Sequence, residues 1–260
     1  MREDGLSRRE FVGATLSGIA VLVLGLRGQE AQGAETGVLK DTILFEGGKA
    51  AAPEMRVLDM KEDEWCVEQQ KKNQYRDVKF VINDAGAVQN VLVYIKKGLD
   101  KSQKYEPPAE KVVMDQRNCR HWPHVLALMT GQTLLVRNSD DTQHTVHGLP
   151  FKNKEFNISQ AKRGMEKELS FKREEVFKIV CDPHPWESAY VGVFAHPFFS
   201  VTDENGQYEI KNLPPGEYTL AVWHEVCGEF TRTITFAPGE TKELNLTISP
   251  KRRKRKRGRT

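Results

Sequence analysis

Two short segments of the sequence contain the side chains that could hold a metal ion. The first, Cys181-Asp-Pro-His184-Pro-Trp-Glu187, follows an apolar run and places a thiolate and an imidazole three residues apart on a tight turn. The second, 138–147, offers His144 as another imidazole at the end of an apolar run. Two imidazoles and one thiolate form the trigonal set that copper uses in electron-transfer sites. The residues therefore predict a mononuclear copper centre made by His144, Cys181 and His184.

Glu187 occupies the position on this loop where a weak axial Met is expected. A carboxylate is a hard, anionic ligand, so its binding would favour Cu(II) and lower the reduction potential relative to a thioether. Two alternatives stay open: Glu187 points to solvent and copper has only three strong ligands, or the loop does not bind copper. Met114, Met129 and Met165 lie outside the loop, so no obvious Met takes the axial place.

Other histidines invite assignment to a second metal site. His121 and His124 follow Cys119 with a spacing of three, but the segment has the pattern of a strand rather than of a helix. We expect these two side chains to be exposed to solvent or hydrogen-bonded. The same expectation applies to His196 and His224, which stand at the ends of predicted strands.

The N-terminal segment 1–34 has the pattern of an export signal. Residues 7–13 contain a twin arginine and precede the apolar run 14–26 and then small and polar residues. Thirteen apolar residues are fewer than the about 20 that a membrane-spanning helix needs. We therefore expect a cleaved twin-arginine signal without a transmembrane anchor, and a location in the periplasm or outside a bacterial cell.

The C-terminal tail 250–260 is predicted to be disordered because like charges repel and cannot be buried. Eight of the 39 Lys and Arg residues lie in it, so the remainder, with 31 of them against 36 Asp and Glu residues, has a formal charge of −5. We expect the tail to bind an anionic envelope surface or an acidic redox partner rather than nucleic acid. A tail that only increases solubility is the alternative.

Four cysteines constrain the covalent framework. With Cys181 assigned to the metal, three remain and allow at most one disulfide, which an oxidising compartment favours. Cys66 and Cys119 stand in polar, loop-like segments and are the predicted pair, which leaves Cys227 free. The sequence has no C-x-x-C-H motif for covalent haem attachment.

The rest of the chain alternates short apolar, β-branched runs with Gly, Pro, Asn and Asp, which predicts an all-β protein. No long helical pattern is visible, and 161–169 is expected to be a loop or one short helix. The segment 96–111, with Pro107-Pro108, is the strongest internal boundary.

Two parts of the sequence resemble known families. Residues 198–225, with DENGQY and LPPGEY turns, resemble the second half of a carboxypeptidase-regulatory-like, transthyretin-type β-sandwich, whose opening strands correspond to GVLKDTILFEGG and QNVLVYIKKG upstream. Residues 110–197 resemble cupredoxins, and the 181–187 loop resembles the Cys-x-x-His-x-x-Met loop of amicyanin-like members. The whole chain is also similar to bacterial methylamine-utilisation and plastocyanin-like proteins that combine two such sandwiches.

The cupredoxin resemblance implies specific roles. Alignment to the family's His-x-x-His form favours His144 over His147 as the ligand. We expect Asn138 to hold the Cys181 loop by a hydrogen bond behind the ligands. With Glu187 at the axial Met position, the resemblance implied is to red copper centres such as nitrosocyanin, whose Glu comes from a different part of the chain.

The predicted architecture is a cupredoxin Greek-key β-sandwich, 109–197, inserted into a second small β-sandwich made by 36–108 and 198–249. A tandem with an extended copper domain at 36–197 is the alternative. The predicted function is exported single-electron transfer to a periplasmic redox partner, with His184 near the surface as the exit point. A copper carrier without a redox partner and red-copper-like nitric oxide chemistry are the alternatives. Enzyme activity ranks last, because no acid–base pair or second copper set is visible.

Overall fold

The computed structural model describes residues 35–250, and strands connected by turns dominate this range. The predicted export signal at 1–34 and the basic residues from 251 onward, predicted to be disordered, lie outside the described residues. No helix in the described range is long and apolar enough to cross a membrane.

Seventeen strands and two short helices make up the described chain. The strands are β1 Gly37–Phe45, β2 Leu92–Lys97, β3 Val112–Gln116, β4 His121–Trp122, β5 Val125–Met129, β6 Thr133–Asn138, β7 His144–Leu149, β8 Phe156–Gln160, β9 Glu166–Ser170, β10 Glu175–Val180, β11 Ser188–Phe194, β12 Phe199–Val201, β13 Gln207–Leu213, β14 Gly216–His224, β15 Gly228–Phe236, β16 Thr241–Glu243 and β17 Leu246–Ile248. The helices are α1 Gly48–Ala51 and α2 Glu64–Asn73.

The outer sandwich, which we define as β1, β2 and β12–β17, is built from both ends of the described chain. In one sheet β1 pairs antiparallel with β13 and parallel with β16 and β17. In the other, the order is β12-β2-β14-β15. Alternating apolar side chains such as Leu39, Ile43, Ile95 and Leu220 form the core between the two sheets. The pairing of β1 and β2 with strands after residue 198 makes this sandwich discontinuous in sequence.

The inner sandwich, β3–β11, lies between these two parts in the chain. Its sheets have the orders β5-β11-β10-β7-β8 and β4-β3-β6-β9. Met114, Leu134, Phe177 and Ile179 are among the side chains that form its core. The predicted all-β class is thus confirmed. The domain boundaries at 36–108, 109–197 and 198–249 stay a prediction, because both sandwiches belong to one compact unit.

Two elements differ from the expectations. Helix α2 has no apolar periodicity from which it could be predicted, because Cys66 is its only buried residue. Its N-terminus is stabilised by the Asp63 carboxylate, which accepts a hydrogen bond from the Cys66 backbone N–H at 2.9 Å. In the segment 161–169, expected as a loop or a short helix, residues 161–165 do form a loop, but 166–169 belong to β9, which pairs with β6 and has mostly exposed side chains.

The predicted disulfide between Cys66 and Cys119 is confirmed, and Cys181 and Cys227 are free and buried. The bond joins α2, in the long connection between β1 and β2, to the turn that follows β3. It therefore ties a connection of the outer sandwich to the inner sandwich. In the chain-entropy model, closing a loop with this sequence separation of 53 residues stabilises the fold by about 4 kcal/mol.

Two phenylalanines test the packing of the inner sandwich. Phe177 is 2 % exposed and its ring lies 5.1 Å from that of Phe171, whereas Phe151 is 95 % exposed. We expect Phe177→Ala to lower the free energy of unfolding by about 3–5 kcal/mol through lost burial and a cavity. The same truncation at Phe151 should change it by less than about 0.5 kcal/mol. Urea unfolding of both variants is the measurement, and equal effects would contradict the assignment of Phe177 to the core.

Candidate metal centre

The loop between β10 and β11 positions three of the four predicted ligands. The backbone N–H of His184 donates to the Cys181 carbonyl at 3.2 Å, and that of Glu187 donates to the His184 carbonyl at 2.9 Å. The Cys181 N–H in turn donates to the Glu187 carbonyl at 3.3 Å. These bonds fold the loop into tight turns, and Pro183 and Pro185 further restrict its backbone.

The structure brings His144, at the first position of β7, against this loop. His144 Nδ1 lies 2.9 Å from His184 Nδ1 and 3.0 Å from Glu187 Oε2. Cys181 Sγ lies 3.7 Å from His144 Nδ1 and 3.5 Å from His184 Nδ1. All four donor atoms are within 4.8 Å of one another, and all four residues are buried. Metal–ligand bonds of about 2.0–2.3 Å place the donors of one ion at comparable separations, so the set fits a single metal ion.

The Glu187 carboxylate points into the cluster, so the alternative in which it points to solvent is wrong. The residue is 1 % exposed. Its Oε2 faces the two imidazoles, while its Oε1 accepts a hydrogen bond from Gln116 Nε2 at 3.1 Å. His121 Nδ1 lies 3.5 Å from the same Oε1. Sequence reasoning missed Gln116 and the proximity of His121, because both side chains come from β3 and β4 in the opposite sheet.

The charges of the cluster are strongly coupled. Burial raises the pKa of Glu187, but the histidines around its carboxylate outweigh burial and hold that pKa well below its ordinary value. Burial likewise opposes protonation of His144, yet hydrogen bonds with Asp140, Cys181 and Glu187 raise its pKa to about 12. His184 behaves in the same way, with a pKa raised to about 9 by Cys181 and Glu187 against burial. Binding of a metal ion at the Nδ1 atoms therefore requires the loss of protons.

A carboxylate stands behind each imidazole. Asp140 Oδ2 lies 3.0 Å from His144 Nε2 and also accepts the backbone N–H of Cys119 at 2.8 Å. Asp63 Oδ2 lies 3.5 Å from His184 Nε2 and accepts the Thr142 hydroxyl at 2.6 Å. Carboxylates in this position fix the orientation of ligand histidines and raise their basicity. Neither was predicted, although Asp140 lies in the 138–147 segment that drew attention to His144.

Residues 58–75, which contain α2 and which we name the cover, lie over the distal side of His184. Cys66 Sγ is 3.9 Å from His184 Nε2, and the Cys66–Cys119 disulfide holds it there. Trp186 stacks on the other side, with its ring centroid 5.1 Å from that of His184 and an interplanar angle of 29°. His184 is consequently 1 % exposed, so the expectation that this ligand lies near the surface is wrong.

The second candidate ligand, His147, is not part of the cluster. Its Nδ1 lies 2.8 Å from Asp182 and its Nε2 lies 3.1 Å from Glu155 at the protein surface.

The role of Asn138 also differs from the expectation. Its side-chain amide donates to the backbone carbonyls of Thr142 and Gln160, so it shapes the turn before His144 instead of holding the Cys181 loop.

The remaining histidines divide into two groups. His124, His196 and His224 are buried and hydrogen-bonded. From the sequence we expect them to be either exposed or hydrogen-bonded, and the second alternative is correct. His121 is fully buried, and neither ring nitrogen has a hydrogen-bond partner within the described residues, so the expectation for it is wrong. Burial lowers its pKa to about 4 despite the nearby Glu187.

A family model and several solved structures match parts of the chain. The model of the carboxypeptidase regulatory-like domain matches residues 184–249. Among curated proteins, none matches the chain in sequence. The chain combines this match with structural similarity to cupredoxins.

Three solved structures illustrate that similarity. A purple cupredoxin from Nitrosopumilus maritimus is 25% identical over 32% of this chain and 97% of its own, with a TM-score of 0.28. A mutant of amicyanin in the Cu(I) form is 19% identical over 39% of this chain and 97% of its own, with a TM-score of 0.30. A copper-containing nitrite reductase from Thermus scotoductus SA-01 is 18% identical over 37% of this chain and 27% of its own, with a TM-score of 0.31. Because these scores are low, a functional assignment must rest on the donor atoms of the site.

Two adjacent aspartates provide a matched test of the charge balance. Asp140 is buried against His144, whereas Asp141 forms an exposed ion pair with Arg163. We expect Asp140→Asn to lower the pKa of His144 and to cost roughly 3 to 5 kcal/mol of unfolding free energy, because a buried charge loses its partner. Asp141→Asn should cost less than about 1 kcal/mol.

The pH at which the two aspartate variants are compared follows from the direction in which the pKa of His144 is shifted. Because the pKa of His144 is raised, its stabilisation is complete below the ordinary value of 6.5 and is lost only as the pH rises toward about 12. Urea unfolding of the metal-free variants at pH 6 and NMR titration of the His144 ring are the measurements. Equal losses in the two variants would show that Asp140 does not compensate His144.

Proposed function

We propose that this protein is an exported mononuclear copper protein that transfers single electrons, with His144, Cys181, His184 and Glu187 as the ligands. The observation that supports the proposal is the convergence of one thiolate, two imidazole Nδ1 atoms and one carboxylate in a buried cluster. A soft thiolate together with imidazoles suits both Cu(I) and Cu(II), so the donor set fits the ion. When bound, copper supplies a one-electron redox couple.

The protein's own contribution is to fix the donors and exclude water. The Thr145 backbone N–H points at Cys181 Sγ at 3.3 Å, and Asp140 fixes the ring of His144. Gln116 orients the carboxylate of Glu187 from the opposite sheet. Donors held in this way move little between oxidation states, which favours rapid electron transfer.

The enclosure of the cluster favours electron transfer over the two other candidate functions. Reaction with a small molecule such as nitric oxide needs an accessible position beside the donors, and the cover closes the side of His184 that would offer one. A carrier must release its ion, and a cluster whose four residues are all buried opposes rapid release. Neither argument depends on the partner, which we propose to be a periplasmic redox protein.

Export and surface attachment belong to the same proposal. The twin-arginine segment supports transport to the periplasm, and the basic C-terminal tail supports attachment to an anionic envelope surface. An oxidising compartment also suits the Cys66–Cys119 disulfide.

Two buried free cysteines allow a controlled test of the ligand set. Copper(II) is added to the purified mature protein, and the visible spectrum is recorded for wild type, Cys181→Ser and Cys227→Ser. We expect a thiolate-to-copper charge-transfer band in wild type and Cys227→Ser and its complete loss in Cys181→Ser, because only Cys181 lies in the cluster. A wild-type protein that binds the ion without this band would refute the proposal, and preferential binding of zinc would identify a different metal.

The role of Glu187 is tested by Glu187→Met and Glu187→Gln. A carboxylate ligand stabilises the more positive oxidation state, so both neutral replacements should raise the reduction potential, and Glu187→Met should also change the spectrum. Spectroelectrochemical titration measures both quantities. A potential and a spectrum in Glu187→Met that match the wild type would show that Glu187 is not a ligand.

A further inference from the structure

The two site imidazoles have no exposed edge. His144 is 0 % and His184 is 1 % exposed. The outward Nε2 of His144 faces Asp140 at 3.0 Å. The outward Nε2 of His184 faces Asp63 at 3.5 Å and Cys66 Sγ at 3.9 Å. A redox partner therefore has no ligand ring that it can approach directly.

Trp186 connects this enclosed cluster with the surface. Its indole stacks on the His184 ring at 5.1 Å between centroids, and it is only partly buried. The indole N–H donates to the Cys119 carbonyl at 3.0 Å, which fixes the ring in this position. Among residues 35–250, His144 and Trp186 are the rings in contact with His184, and of these two only Trp186 reaches solvent.

The neighbouring aromatic residues of the cover do not share this arrangement. Trp65 and Tyr75 are partly buried in the same apolar cluster as Trp186, and Tyr75 stacks with the Arg120 guanidinium at 4.1 Å. In the described structure neither ring contacts a ligand imidazole. Electron tunnelling weakens steeply with distance and is helped by contact between π-systems. The stacked pair His184–Trp186 is thus the short aromatic route out of the cluster.

We propose that electrons enter and leave the centre through the Trp186 indole, in place of an exposed imidazole edge. This inference rests on the proposed electron-transfer function. In one turnover an external donor would lose one electron to the oxidised centre, and the reduced centre would pass that electron to an external acceptor. No bond forms or breaks, and no proton has to move.

The disulfide-held cover enforces this route. Cys66 and Asp63 occupy the side of His184 on which a partner would otherwise dock, and the Cys66–Cys119 bond keeps them there. Removal of the bond in a Cys66→Ser/Cys119→Ser variant should loosen the cover and open the His184 edge. The contribution of Trp186 should then become small.

The test compares Trp186→Leu and Trp186→Phe with Trp122→Leu as the matched control. Trp122 is 43 % exposed and stacks with Arg117, and it does not contact a ligand ring. Copper-loaded proteins are reduced by hexaammineruthenium(II) in a stopped-flow instrument. We expect Trp186→Leu to slow the reduction by roughly tenfold or more, a size typical of changes directly behind a metal ligand, while Trp186→Phe and Trp122→Leu stay near wild type.

Three further readouts separate a route from a structural effect. The charge-transfer band and the reduction potential should be unchanged in Trp186→Leu; if that variant loses the band, the fluorescence comparison of Trp186→Phe with Trp122→Phe decides. In Cys66→Ser/Cys119→Ser, adding Trp186→Leu should no longer slow the reduction. Quenching of indole fluorescence when copper(II) binds should be smaller in Trp186→Phe than in Trp122→Phe, because the Trp186 indole stacks directly on a ligand ring.

The outcomes distinguish this inference from the function on which it rests. An unchanged rate in Trp186→Leu with an intact band would overturn the Trp186 route and leave the copper function standing. Equal quenching in the two Phe variants would also count against the route. A wild-type protein without a charge-transfer band would overturn the copper function, and the route with it, before any rate is measured.

Discussion

The buried carboxylate of Glu187 is the constraint on which the arrangement of the site depends. An ionised carboxylate removed from water costs several kcal/mol unless charged and hydrogen-bonding partners surround it. Here His144 and His184 face one oxygen, and Gln116 donates to the other. Gln116 comes from β3, whereas the ligand loop joins β10 to β11 in the other sheet. The hydrogen bond from Gln116 to Glu187 therefore links the two sheets of the inner sandwich. A thioether in its place would need none of these partners.

The cover extends the same dependence to the outer sandwich. Asp63 and Cys66 belong to the connection between β1 and β2, yet they complete the surroundings of His184. The disulfide to Cys119, together with the Trp186 hydrogen bond to the Cys119 carbonyl, keeps these groups in place. The surroundings of the cluster are therefore complete only when strands from both parts of the chain have paired.

The parts of this arrangement that the sequence predicts are those with a local pattern. Cys181, His184 and Glu187 share one short loop, and His144 begins a strand that follows a recognisable turn. The number of cysteines limits the chain to one disulfide besides the metal ligand, and the polar segments around Cys66 and Cys119 favour that pair. Asp63 lies far from His184 in sequence, and no local pattern relates the two. Helix α2 and strand β9 are polar because most of their side chains face solvent, so apolar periodicity could not reveal them.

The charges around the cluster also bear on the direction of electron flow under the proposed function. A Cys181 thiolate and a Glu187 carboxylate together have two negative charges, which a divalent ion neutralises. A monovalent ion leaves one negative charge in a buried site, and Asp140 and Asp63 stand behind the imidazoles with further negative charge. Coulomb interactions are strong in such an enclosed place, so the environment favours the divalent state. Under the proposed function these charges lower the reduction potential of the centre, so a partner that takes electrons from it must have a higher potential.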